Sequence, residues 1–334
     1  HLVETREDTV PNSFLEPRPC LPIDGLLDTT REISGATTRV VGTVVAGAVD
    51  GALGVVAGRN ELVQDIQLLR DQSCNFVRGA HYPQDPRFLD LCDEAGILVF
   101  EESLGWQQDE SHFADPAYCD SCVEQTRLMV RNSFNHPSVI MWGFLNEGRS
   151  DLPESTPLYT RLVTALREED SSRPVTFASN HPMDDANLDL VDIICVNNYP
   201  GWYSHDREAT RPLDEIVPTL DRIRHHIRET ANLADKPFIV SEIGAGAIYG
   251  WRDPLRAHWT EEYQADHLDI VCREAVGNDD IAGVALWQFC DGRTYSSSGA
   301  LFRPRAFNNK GVLNEYRKPK AAYEVVKNRF GAAE

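Results

Sequence analysis

The chain is short of basic residues. It carries 32 Lys and Arg against 52 Asp and Glu, a formal net charge of −20. Basic side chains supply affinity for a phosphate backbone, so nucleic acid is excluded as the main partner. An anionic small molecule is not excluded, because one cation inside a pocket overrides the average field. No apolar run approaches the ~18 residues of a membrane span, and no membrane partner is expected. No Gly-x-Gly-x-x-Gly follows an apolar run, which counts against a dinucleotide fold. Among the eight cysteines only Cys119-Asp-Ser-Cys122 forms a Cys-x-x-Cys, with no second pair at zinc-finger spacing. Inert thiols or a local disulfide are expected there rather than a metal or redox centre. Cys74, Cys195 and Cys290 lie in or beside apolar strands and read as buried thiols. The chain starts at His1 with neither an initiator Met nor a secretory signal, so it is expected to be processed or cut from something longer. A soluble protein is expected, cytoplasmic or secreted, with its oligomeric state left open.

What is present is an alternation of helical and strand patterns. Residues 1–58 read as an irregular amino-terminal segment, in which Val40-Val41-Gly42-Thr43-Val44-Val45 is a candidate first strand. From Asn60 the pattern sharpens. Leu62, Ile66 and Leu69 recur at helical spacing, and Phe88 to Cys92 mark a second helix stopped at Gly96. Strands are predicted over 75–78, 97–102, 138–145, 174–179, 191–196, 237–242 and 281–287, with helices or long loops between them. Alternating βα units imply a parallel sheet. Seven strands plus the early candidate approach eight, so the expected fold is an α/β TIM (β/α)8 barrel over 59–334.

The acids stand where such a barrel does its chemistry. Val139 to Leu145 run straight into Asn146-Glu147, and Phe238-Ile239-Val240-Ser241 into Glu242. In a parallel barrel the carboxyl ends of the strands form the active face. Two carboxylates brought to one rim are what glycoside hydrolysis requires, at about 5–5.5 Å for a retaining enzyme. Asn146 is suited to hydrogen-bond a sugar hydroxyl beside the reacting carbon. Trp287 ends the last strand and is suited to floor the apolar face of a sugar. Glu101 and Glu102 also end a strand, and are expected to tune the site or pair with Arg78 rather than catalyse. A metal-dependent barrel drawing on Glu101, Asp192 and Glu242 is the rival chemistry. The hydrolytic reading needs no metal or cofactor.

These segments resemble glycoside hydrolase family 2. The resemblance rests on Asn75-Phe76-Val77-Arg78-Gly79-Ala80-His81-Tyr82-Pro83, Cys92 to Val99, Asn135-His136-Pro137-Ser138-Val139 through Asn146-Glu147, and Ser241-Glu242-Ile243-Gly244. It implies Glu147 as general acid/base, Glu242 as nucleophile, and His81 carried into the site by a loop shaped by Pro83. Asn308-Asn309-Lys310-Gly311 resembles the Asn-x-Lys signature of the β-glucuronidases, in which Asn308 and Lys310 would read the sugar carboxylate. Tyr199 and Tyr203 flank a stretch similar to that subgroup's, which implies that one of them, Tyr203 ahead of Tyr199, hydrogen-bonds the nucleophile. The family's usual Gly-Val-x-x-His-type segment has no good match in residues 30–58, where Ala46 to Asp50 is a poor stand-in. The family's amino-terminal sandwich and immunoglobulin-like domains are not represented. The resemblance implies a β-glucuronide as the carbohydrate partner. A β-galactoside or β-galacturonide, or binding of carbohydrate without hydrolysis, stands as the alternative.

Overall fold

The computed structural model describes residues 39–45, 49–50, 55–56, 58–203, 213–294 and 303–332. Eight parallel strands close into a barrel in which each strand pairs with its neighbour in sequence and the last returns to the first. They are β1 (Val40–Val45), β2 (Phe76–Gly79), β3 (Leu98–Glu102), β4 (Val139–Asn146), β5 (Val175–Ser179), β6 (Ile194–Asn197), β7 (Phe238–Ile243) and β8 (Gly283–Leu286). The segment Val40–Val45 is the closing strand, with Val40 to Thr43 beside Gly283 to Leu286 and Gly42 to Val45 beside Phe76 to Gly79. Ala46 to Ala48 and Cys20 lie outside the described residues.

Among the described residues seven helices of ten residues or more wrap the strands: α1 (Arg59–Asp71), α2 (Pro86–Ala95), α3 (Pro116–Ser133), α4 (Thr156–Glu169), α5 (Ile216–Glu229), α6 (Glu261–Gly277) and α7 (Ala321–Gly331). Only a short 3₁₀ turn, Leu188–Leu190, stands between β5 and β6. Local chemistry sets several boundaries. Asp85 caps α2 by accepting from the Arg87 N–H, with Pro86 at the first helical position, and Gly96 ends that helix at φ 69°. Asp115-Pro116 forms the same start signal for helix α3, with the Asp115 side chain accepting from the Ala117 N–H. Cys119 and Cys122 both fall on that helix as unbridged thiols, and burial raises the pKa of each.

The period-two alternation of the strands sorts side chains into two cores. Phe76, Phe100, Met141, Cys195, Ile239 and Ala285 fill the barrel interior. Their neighbours Val77, Val99, Trp142, Ile194, Val240 and Val284 face the helices. Gly143 is required by this packing, since a Cβ there would stand 2.1 Å from the Phe100 ring. The plugged interior leaves only the rim at the carboxyl ends of the strands open for chemistry.

Candidate active site

Two strands depart from regular pairing just before their acids. On β4, Gly143 pairs with Thr176 and Asn146 with Ala178, so one extra residue is inserted. Phe144 and Leu145 consequently both face the outer core, with Leu145 at φ 39°, and Asn146 turns inward. On β7, Val240 and Glu242 stand opposite Val196 and Asn197, another inserted residue. Ser241 and Glu242 therefore both point into the mouth of the barrel, where strict alternation would have sent one outward. Bulges beside active sites re-aim side chains in this way. Glu147 follows at φ 49°, a left-handed conformation that costs a non-glycine residue about 1–2 kcal/mol.

Arg78 ties the mouth together from an inward position on β2. Its guanidinium is fully buried and lies 2.6 Å from both Glu102 Oε2 and Glu242 Oε1. It also donates to Asn146 Oδ1 at 2.8 Å. Asn197 Nδ2 donates to the same oxygen at 2.9 Å and to Glu147 Oε1 at 3.0 Å. Ser241 Oγ donates to Asn197 Oδ1 at 2.8 Å. A continuous chain of hydrogen bonds thus joins the two glutamates. Because Asn146 Oδ1 takes two donors, its Nδ2 is the group left to face the site, beside His81 Nε2 at 3.4 Å. Burial raises the Glu147 carboxyl above its ordinary value of 4.5, and the neighbouring Glu242 charge adds to the rise. Burial also pushes Glu102 upward, but Arg78 and His81 more than offset it and its pKa is lowered. The two acids at the end of β3 therefore differ in role. Glu102 supports Arg78 and His81, whereas Glu101 accepts from Ser133 Oγ and the Gln84 N–H and is raised by burial to about 7.

His81 is held by Glu102 at 3.0 Å and stacks on Trp287, with ring centroids 5.5 Å apart. Trp287 is half-buried at the end of β8 and packs partly on the interior core. The tyrosine expectation is corrected. Tyr199, not Tyr203, donates to Glu242 Oε2, at 2.5 Å. Tyr199 lies two residues beyond Asn197, so its side chain continues the inward face of β6. Tyr203 follows the Tyr199–Trp202 turn, in which Gly201 has φ 76°, and its phenolic oxygen instead accepts from Lys310 Nζ at 2.6 Å. Replacing Tyr199 by Phe is expected to lower kcat about tenfold to a hundredfold, the range for losing a hydrogen bond to a charged group. Tyr203→Phe should lower kcat much less. Paired kinetics of the two variants check this, and an equal or reversed ranking would reject the assignment.

Lys310 is buried, with 4% of its surface exposed. Its ammonium lies over the rings of Tyr199, Trp202 and Tyr203 at 5.5, 5.5 and 4.5 Å. Among the described residues it forms no ion pair, and burial lowers its pKa. Asn308 is half-buried, its main-chain oxygen accepts from Gln288 Nε2, and its side-chain oxygen is buried with no hydrogen-bond partner among the described residues. The mouth therefore offers a carboxyl inclined to hold its proton, a carboxylate gripped by Arg78 and Tyr199, and a cation that forms no ion pair among the described residues.

The rival metal set does not assemble. Asp192 accepts from the Val175 N–H at the amino end of β5 and pairs with Arg167, on the opposite face from Glu242. Sequence reasoning missed Asn197 and the central place of Arg78. The signal was a charge at an inward-facing position between Val77 and Gly79, and an amide one residue past an apolar strand.

A family model described as "Glycosyl hydrolases family 2, TIM barrel domain" matches residues 49–334. A Homo sapiens β-glucuronidase is 32% identical over 276 residues, covering 80% of this chain and 40% of that protein. A Mus musculus β-glucuronidase is 33% identical over 272 residues, with the same coverage of 80% and 40%. The chain thus spans about 40% of the length of these curated relatives. The solved structure of a β-galacturonidase from Eisenbergiella tayi, bound to galacturonate, superposes with a TM-score of 0.81 at 36% identity, covering 89% of this chain and 52% of that one. A β-D-glucuronidase from Dictyoglomus thermophilum superposes with a TM-score of 0.79 at 28% identity, covering 88% and 50%. No helix among the described residues is long and apolar enough to cross a membrane.

Proposed function

The chain belongs to glycoside hydrolase family 2, and from that premise we propose that it hydrolyses terminal β-D-glucuronides with retention of configuration. Glu147 protonates the glycosidic oxygen while Glu242 attacks the anomeric carbon from the opposite face. The bond to the leaving group breaks, and a glycosyl ester with Glu242 forms. Glu147, now ionised, takes a proton from water, and that water displaces Glu242 to release the sugar. Tyr199 and Arg78 orient the Glu242 carboxylate before attack. The Asn146 amide and His81 are placed for the hydroxyls next to the reacting carbon. Trp287 offers its ring to the sugar.

The observation that carries the uronide reading is Lys310. A buried ammonium that donates to a phenol and forms no ion pair among the described residues is costly. A sugar carboxylate entering beside Lys310 and Asn308 supplies the missing countercharge. A β-galacturonide carries the same carboxylate, and the similarity to a galacturonate-bound relative supports testing it in parallel. The direct test is turnover of nitrophenyl β-glucuronide, β-galacturonide, β-glucoside and β-galactoside, with the first-formed anomer read by NMR. Preference for neutral sugars, or an inverted first product, would reject the proposal.

The raised Glu147 pKa has a signed consequence. Leaving-group protonation needs the protonated form, so kcat/KM falls as pH rises through that pKa. The alkaline arm should lie above the ordinary carboxylic value of 4.5. For a dinitrophenyl uronide, whose leaving group needs no proton, the arm should flatten. An arm that persists there would point to another group, such as Glu101.

A further inference from the structure

A buried ammonium that forms no ion pair among the described residues gains by leaving for water, so something must keep Lys310 in place. The residues that do so lie outside the mouth. Asp291 follows β8, and Lys320 immediately precedes α7. Both side chains are fully buried, and they meet at 2.7 Å. The pair brackets Lys310 from both sides. Lys320 Nζ donates to the carbonyl of Asn309 at 3.0 Å. The Asp291 carboxylate accepts from Asn309 Nδ2 at 3.2 Å and from the Gly311 N–H at 3.0 Å. Gly311 is pressed so close to this strand end that a Cβ would stand 2.3 Å from the Asp291 nitrogen. The Lys320 ammonium also donates to the carbonyl of Ala247 at 2.7 Å, and the Ala247 N–H donates to the Asn309 carbonyl at 2.8 Å. Ala247 belongs to the segment that continues from Glu242. One ion pair therefore ties together the strand end after β8, the loop bearing Lys310, the segment trailing the nucleophile and the start of α7.

Buried ion pairs are weak sources of net stability, since well-packed apolar residues often serve as well. Directional anchoring is what this pair adds. We propose that Asp291 and Lys320 are positioning residues that hold the Lys310 ammonium in the site and so set the preference for an anionic over a neutral sugar. The inference rests on the uronide reading of Lys310.

The test compares the wild type, the double variant Asp291→Leu/Lys320→Met, Lys310→Ala and the triple combination on nitrophenyl β-glucuronide and β-glucoside. The double variant removes both charges of the pair, so neither partner is left buried alone. Expected is a fall in uronide kcat/KM of about tenfold to a hundredfold, mostly through KM, because displacement of a positioning group by about 1 Å has effects of that order. Glucoside kinetics should stay within about twofold of wild type, and the pair substitution should cost no further selectivity once Lys310 is already Ala. Asp291→Asn keeps the shape of the site, and it carries the same comparison if the double variant lacks a wild-type circular dichroism spectrum and cooperative melt. Parallel loss on both substrates, unchanged selectivity, or a further loss in the triple variant would overturn the inference. If Lys310→Ala itself keeps wild-type selectivity, the uronide reading fails. If Lys310→Ala loses selectivity and the pair variant does not, only the present inference fails.

Discussion

Replacing Glu242 with Gln is expected to reduce turnover of nitrophenyl β-glucuronide by on the order of 10⁴-fold or more, the scale seen when a residue central to covalent catalysis is removed. The amide preserves size, and its oxygen can still accept from Arg78 or Tyr199. It cannot form the glycosyl ester, so the first displacement has no nucleophile. The substitution leaves Arg78 paired, because Glu102 stays as its charged partner at 2.6 Å. Glu147→Gln should behave differently. Its rate loss should shrink as the leaving group becomes more acidic, since such a group departs without a proton. Azide, which needs no general base, should then intercept the glycosyl ester of Glu147→Gln and give a β-glycosyl azide. With Glu242→Ala, azide occupying the vacated space should give the α-azide instead. Steady-state rates and product NMR separate the two roles, and substantial turnover by Glu242→Gln would remove that residue from the mechanism.

The second large effect is expected from Lys310→Ala. Removing one partner of a buried charge pair costs about 3–5 kcal/mol, because the other charge is left unpaired. Applied to a bound uronate, the lower end is roughly a hundredfold in kcat/KM. Neutral hexosides should lose far less, as they bring no carboxylate. The same substitution should leave the melting temperature unchanged or raise it. The Lys310 pKa is lowered by burial, so holding the charged form in the folded state opposes folding at every pH below that pKa. Truncation removes this cost, less the packing lost over the Tyr199, Trp202 and Tyr203 rings. A residue retained at the expense of stability is a residue retained for a ligand. Equal losses on charged and neutral substrates, measured alongside a fall in melting temperature, would make Lys310 structural.

Much of this arrangement is legible in the order of residues. The helix-and-strand alternation, the stop at Gly96, and the glutamates at 147 and 242 follow from local patterns of apolar, turn-forming and charged side chains. Those patterns fix which strand ends in an acid, and parallel pairing then sends all such ends to one rim. The closing strand Val40–Val45 was legible only as a candidate, because its partners lie as far away as Gly283 to Leu286. Without them the Val- and Gly-rich run has no face to declare.

What only the tertiary structure decided is which side chains meet. The inserted residues in β4 and β7 turned Asn146 inward and brought Ser241 and Glu242 to the same face, against the simple alternation of a strand. The turn after β6 gave Glu242 to Tyr199 and left Tyr203 for Lys310. Arg78 reaches Glu242 across 164 positions of chain, and Lys320 reaches Ala247 across 73. Sequence periodicity reports the two faces of one element and its immediate ends. Bulge register, loop path and the burial of a lone ammonium arise from contacts between elements, so they are set only when the barrel closes.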